Sequence, residues 1–152
     1  MVPKNILVPT DLGEGAEEAL DYACELARSF GARIHLVNVV TVPSLGVPEL
    51  GVALSGSMMD AMLADNLHGL EKLVEDRKGR AEFARPILKS GDPRDIINET
   101  AKEIGADLIV MSTHGRRGVS RVLLGSVTEL VVRSAPCPVL TVRLHGHHEA
   151  AA

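Results

Sequence analysis

Apolar positions along this chain fall into two rhythms, short dense runs and stretches with helical spacing. Asn5-Ile-Leu-Val-Pro9 reads as a short apolar strand, and Leu108 to Met111 as a fully buried one. Arg33 to Val39 reads as another strand, in which His35 alternates among apolar neighbours and is expected to be a satisfied, sheet-flanking histidine. Between the runs the period changes. Ala16, Ala19, Leu20, Ala23, Cys24, Ala27 and Phe30 mark one helix, stopped by Gly31. Met59, Met62, Leu63, Leu67, Leu70 and Val74 mark a long second helix, with His68 on a solvated side and Gly79 as its stop. Ile96, Ile97, Thr100, Ala101 and Ile104 mark a third, capped by Asp92, opened by Pro93 and ended by Gly105. Ser126-Val-Thr-Glu129 has the spacing of a capping box and predicts a fourth helix, from Val127 to about Ser134. Glu82 to Lys89 alternates imperfectly and reads as an outer strand, since Pro86 gives up a ladder donor. Pro136 to Val142 supplies the last strand. Strands alternating with helices predict an α/β fold, a parallel sheet with right-handed crossovers and helices on both faces.

The candidate chemistry gathers between Asp107 and Val142. The strand ending at Met111 empties into a loop carrying Gly115 and Gly118, and Gly125 then precedes the predicted helix. A strand, a glycine-bearing loop and a helix start are the parts of an anion site, because the free amides of the first turn point outward. Arg116, Arg117 and Arg121 lie between the two glycine clusters. On spacing alone, a solvated surface loop fits the same residues equally well. Thr10 and Asp11 follow the first strand directly, at the carboxyl end where open α/β sheets hold ligands. Gly13-Glu-Gly15-Ala-Glu-Glu18 comes close to a dinucleotide fingerprint, but Glu18 stands where a third small residue is required, which argues against a NAD site.

Ser112-x-x-Gly115, nine residues, then Gly125-Ser126 resembles the nucleotide signature of the universal stress protein family, which runs Gly-x-x-Gly, nine residues, then Gly with Ser or Thr. Ile6-Leu-Val-Pro-Thr-Asp11 and Ala135-Pro-Cys-Pro-Val-Leu140 are similar to that family as well, so the resemblance spans about Pro3 to Arg143. One departure is Ser112, which stands where the family has glycine beside the nucleotide's sugar. A Cβ and hydroxyl there either crowd the ribose or add a hydrogen bond. The resemblance implies a doubly wound, open five-stranded parallel sheet of order 3-2-1-4-5, Rossmann-like, with the ligand at the switch point between strands one and four. It also implies roles. Asp11 and the backbone around Val39 would meet adenine, with Pro9 and Thr10 lining the pocket. Met111 and Ser112 would flank the ribose. Gly115, the amides of Gly125, Ser126 and Val127, and the hydroxyls of Ser126 and Thr128 would hold the phosphates. His114 would bond a phosphate or pin the loop.

The function so implied is an ATP-binding stress-response or regulatory protein, acting through nucleotide-dependent conformation or partner binding. Rapid turnover is not expected, because the chain offers no nucleophile–base pair and no Walker lysine. Asp11 is the only acid placed near the crevice, so magnesium would rest on phosphate oxygens and water. A homodimer paired through Val139–Val142 is implied too. The alternative is a dimeric interaction protein of the same fold with a vestigial crevice. A slow hydrolase or ATP-dependent ligase follows by fold analogy alone.

Composition narrows the remaining classes. The 152 residues, 45% hydrophobic, suit one domain over residues 1–144. The tail 145–152, with His145, His147 and His148, is expected to be disordered and to lack fixed metal geometry. No apolar run approaches the roughly 20 residues of a membrane span, and no secretory leader is legible, so a cytoplasmic protein is expected. A net charge of −4 argues against a broad nucleic-acid surface. The scarcity of aromatics (Tyr22, Phe30 and Phe83) removes stacking platforms for single strands. Cys24 and Cys137 fit neither CxxC nor zinc spacing and read as inert thiols. Pro43 to Ser57, rich in Gly, Pro and Ser, predicts a loop or lid of about fifteen residues.

Overall fold

A computed structural model of the chain describes residues 1–41, 51–115 and 124–144. The described elements run β1 (Asn5–Pro9), α1 (Glu14–Phe30), β2 (Arg33–Val40), α2 (Gly51–Glu75), β3 (Glu82–Phe83), β4 (Ile87–Ser90), α3 (Pro93–Glu103), β5 (Leu108–Ser112), α4 (Ser126–Ser134) and β6 (Val139–Val142). All strand pairs are parallel, in the order β3-β2-β1-β5-β6, and β4 also pairs with β2. This is the expected order, with its third strand delivered in two pieces. The break falls at Ala84-Arg85-Pro86, where proline has no N–H for the ladder. β3 pairs with β2 at Arg33 and Ile34, and β4 resumes the pairing at Val37.

The sheet is covered on both sides, which explains the dense apolar runs. Ile6, Leu7 and Val8 are all 0% exposed, although neighbouring side chains point to opposite faces. On one face Ile6, Val8, Ile34, Leu36 and Val110 pack beneath Ala19, Leu20 and Ala23 of α1 and Leu70 and Leu73 of α2. On the other, Leu7, Val37, Ile109 and Met111 pack beneath Ile97 and Ala101 of α3 and Val131 of α4. Each large aliphatic side chain buried this way contributes about 1.5–3 kcal/mol. His35 meets Asn5 Oδ1 at 3.1 Å, and burial followed by the neighbouring Arg33 charge lowers its pKa, as suits a flanking histidine.

Several local expectations change. Helix α2 begins at Gly51, so the last seven residues of the stretch expected to be a loop are helical, and 43–50 lie outside the described residues. Its inner face carries Leu70 and Leu73, whereas Leu67 is 39% exposed. Gly79 follows α2 at φ 84 instead of stopping it, because the helix has already ended at Glu75. The last strand starts at Val139, past Pro136 and Pro138, neither of which can donate.

Arg77, just past α2, is 5% exposed. Its guanidinium pairs with Asp21 at 2.8 Å and Glu17 at 3.3 Å on α1 and donates to Leu73 O at 3.3 Å. These bonds tie the carboxyl end of α2 to the middle of α1. No helix among the described residues is long and apolar enough to cross a membrane. Burial raises the pKa of both the Cys24 and Cys137 thiols, the direction that disfavours the reactive thiolate.

Candidate functional site

The winding of the sheet reverses between β1 and β5, so α1 leaves towards one face and α4 towards the other. The carboxyl ends of these two strands therefore lie at the switch point, flanked by two loops, where open α/β sheets place their ligand crevice. The β1 loop is stiff. Thr10 donates its amide to Val37 O at 2.8 Å, its Oγ1 accepts from Leu12 N at 3.0 Å, and Asp11 Oδ1 accepts from Gly13 N at 2.9 Å. Leu12 takes φ 64, a left-handed backbone that a branched side chain rarely adopts. Its side chain packs against α2, where a Cβ on Gly69 would stand 3.0 Å from Leu12 Cδ1.

The β5 loop closes on its own side. Ser112 Oγ donates to His114 O at 2.8 Å, and Thr113 N donates to Val142 O at 3.0 Å. Gly125 N reaches back to Thr113 O at 2.8 Å and brings the start of α4 beside the end of β5. The two loops meet at glycines. A Cβ on Gly115 would stand 3.1 Å from Asp11 Oδ2, and one on Gly15 would meet Ser112 Cβ at 3.4 Å and His114 O at 3.5 Å. A Cβ on Gly125 would stand 3.4 Å from Thr113 O. Two stretches about a hundred residues apart in sequence thus converge on one place.

The amino end of α4 differs from its sequence reading. Gly125, at φ −59 and ψ 151, is the N-cap, and its carbonyl accepts the first helical bond from Glu129 N at 2.9 Å. Ser126 is consequently one residue inside the helix, and no side chain caps it. The capping box does not form; Glu129 pairs instead with Arg133 at 2.8 Å. The first-turn amides lie at the positive end of the helix dipole, and Gly125, as the N-cap, brings them no side chain.

Of the residues singled out from sequence, Pro9, Thr10, Asp11, Ser112, His114, Gly115, Gly125, Ser126 and Val127 all lie on the two loops or at their edges. Met111 is 5% exposed, with its side chain packed in the core under α3 and α4, which leaves only its backbone for a ligand. Thr128 is 4% exposed, and its hydroxyl donates to Ser112 O at 2.9 Å. That proton ties α4 to β5 and is not offered to an anion. Val39 packs half-buried against the core on the α3 and α4 side. Arg116, Arg117, Gly118 and Arg121, and the tail histidines, lie outside the described residues.

His114 has one nitrogen engaged and one idle. Its Nδ1 lies 3.0 Å from Thr113 Oγ1, while Nε2 is buried with no hydrogen-bond partner among the described residues. If Nδ1 accepts from the threonine hydroxyl, Nε2 carries the proton and is a donor. Three residues here were not read as site residues from the sequence: Gly15, set aside with the near-fingerprint, Asn38 and Leu144. Asn38 Nδ2 donates to Thr10 O at 2.8 Å, and Leu144 Cδ1 stands 3.3 Å from where a Gly15 Cβ would lie. A polar residue inside an apolar strand was the available signal for Asn38. Among the described residues no three potential metal ligands come together.

The model of the universal stress protein family matches residues 3–143 of the chain. A universal stress protein of Methanocaldococcus jannaschii is 38% identical over 144 residues, which cover 92% of this chain and 82% of that protein. Among solved structures, the universal stress protein UspA from Lactobacillus plantarum aligns with a TM-score of 0.81 at 27% identity, covering 92% of this chain and 97% of that one. A universal stress protein family member from Arabidopsis thaliana, solved with AMP bound, aligns with a TM-score of 0.66, covering 98% and 97% of the two chains. At 22% identity that last likeness is one of fold.

Proposed function

The chain belongs to the universal stress protein family, and from that premise we propose that it binds an adenine nucleotide, ATP, in the crevice between β1 and β5. Occupancy of that crevice, and not rapid turnover, is its regulatory signal. The observation that carries this reading is the convergence of Asp11 with Gly115 beside the amino end of α4, whose N-cap is a glycine. Glycine at 115 leaves only backbone facing the Asp11 carboxylate, and glycine at 125 leaves the amides of Ser126 and Val127 open to phosphate oxygens. A phosphate at that helix start gains about 0.3–2 kcal/mol from the dipole alone. His114 Nε2 supplies a further donor, one that otherwise stays buried and unpaired at a cost of about 1–3 kcal/mol. The base end falls to Asp11, Pro9, Thr10 and the backbone near Val39. Ser126 remains a phosphate donor, whereas Thr128 serves β5.

A second reading, an interaction protein with a vestigial crevice, draws on Ser112, whose hydroxyl is turned into its own loop and bonded to His114 O. The test is mass spectrometry of small molecules released from protein purified without added nucleotide. An adenine nucleotide at near one per chain is the expected result. Protein that carries none and takes up none when ATP is supplied would leave the second reading in place.

A further inference from the structure

Asn38 breaks the pattern of its strand. It lies between Val37 and Val39 in β2, is 4% exposed, and shares a sheet face with Ile34 and Leu36, both 0% exposed. A β-branched apolar residue would suit such a position better. The cost is visible in the side chain itself, since Asn38 Oδ1 is buried with no hydrogen-bond partner among the described residues. The other half of the amide is engaged. Nδ2 donates to Thr10 O at 2.8 Å, and because a carbonyl only accepts, this bond assigns which end of the amide is which.

The place of that bond matters. The register of β1 with β2 ends at Pro9 and Val37, so Thr10 is the first residue past the paired strand. Its amide is still held by Val37 O, and its carbonyl is held by a side chain from the next strand. Immediately beyond come the Leu12 N to Thr10 Oγ1 bond, the Gly13 N to Asp11 Oδ1 bond and the left-handed Leu12. This is the wall against which Gly115 closes. Local rules of strand composition are broken where function requires it.

We propose that Asn38 is a positioning residue for the nucleotide crevice: its amide fixes the Thr10 carbonyl and, through it, the place of Asp11. The inference rests on the nucleotide reading above, and Asn38 acts without touching the nucleotide.

Two substitutions separate the donor from the rest of the side chain. Asn38→His keeps an N–H at the same bond count from Cβ and places a C–H where Oδ1 stood. Asn38→Leu keeps the size and removes the donor, and Asn38→Asp keeps the shape and puts an acceptor against Thr10 O. ATP titration below the thermal midpoint of each variant should give a loss of about ten-fold or more for Asn38→Leu and Asn38→Asp. Asn38→His should stay within about three-fold of the parent. Amide resonances of Leu12 and Gly13, recorded without nucleotide, should move in the two donor-free variants and hold in Asn38→His. A folded Asn38→Leu or Asn38→Asp that binds ATP like the parent overturns the inference alone. So does a folded Asn38→His that loses as much affinity as they do. A parent that binds no ATP overturns the nucleotide reading, and the inference with it.

Discussion

Gly115 has a φ outside the left-handed range, so its lack of a side chain answers a need for space and not for backbone freedom. Any Cβ there would press on Asp11 Oδ2 at 3.1 Å, and the two walls of the crevice would have to part. Ser112 presents the opposite case, a side chain where the resemblance to the family signature implies glycine. Its hydroxyl donates to His114 O, two residues on, and braces the loop from within. Ser112→Gly should therefore cost about 1 kcal/mol of stability, from the lost hydrogen bond and the freer backbone. It should also leave ATP affinity equal or better, measured by calorimetry beside a thermal melt. A ten-fold loss of affinity with an unchanged melt would instead make that hydroxyl a ligand contact. Gly115 and Gly125 stand out in the sequence because their spacing is a motif, and Asp11 because it directly follows a strand. Asn38 does not, since its partner Thr10 lies 28 residues away and only the register of β1 on β2 brings them together.

Helix boundaries were legible where a single residue sets them. Gly31 closes α1 at φ 64, and Asp92 caps α3 through Arg94 N at 2.9 Å with Pro93 at the first position. They were misread where two residues compete for one role, as at α4, where Gly125 takes the cap and leaves Ser126 inside the helix. The Asp92 cap gives a pH dependence. Arg94, through its side chain and its backbone N–H, pulls the carboxyl from 3.8 to about 2. The folded value lies below the unfolded one, so the cap contributes fully above about pH 4 and is lost as pH falls through about 2. Asp92→Asn should flatten the decline of stability across that window in acid-dependent melts; an unchanged decline would contradict the cap's role. Arg77 was invisible to periodicity, because a charged residue beyond a helix end reads as solvated. Its side chain is 7% exposed and its partners Glu17 and Asp21 are 48% and 43% exposed, so part of the pairing is screened. Arg77→Ala should still cost about 2 kcal/mol or more, by lost tethering of α2 and by leaving Glu17 and Asp21 short of a partner. Arg80, 46% exposed on the same Asp21, should cost within about 1 kcal/mol when replaced by alanine. Equal losses in urea titrations of the two variants would refute that ranking.

At the scale of the whole molecule, alternating strands and helices determined the class, whereas strand order came from the family likeness, because periodicity carries no information about which strands become neighbours. The order places β6 at an edge, paired only with β5 among the described residues. Its four residues are half-buried, and Leu130 and Val132 of α4 and Tyr22 of α1 are exposed apolar side chains. Open ladder groups on an apolar edge favour pairing with another strand, so antiparallel pairing of Val139–Val142 with its copy is expected. Sedimentation at micromolar concentration should give about twice the 16.2 kDa of one chain. A single-chain mass independent of concentration would contradict it. The central claim is the nucleotide crevice, and calorimetric titration of ATP into the parent chain beside Gly125→Val tests it most directly. Gly125 has φ −59 and ψ 151, open to branched residues, and its Cβ would make ordinary contact with Thr113 O at 3.4 Å, so the variant should fold. The expected result is one ATP per parent chain and no binding heat from the folded Gly125→Val. A parent that gives no heat of binding, with none recovered in Ser112→Gly, would contradict the account.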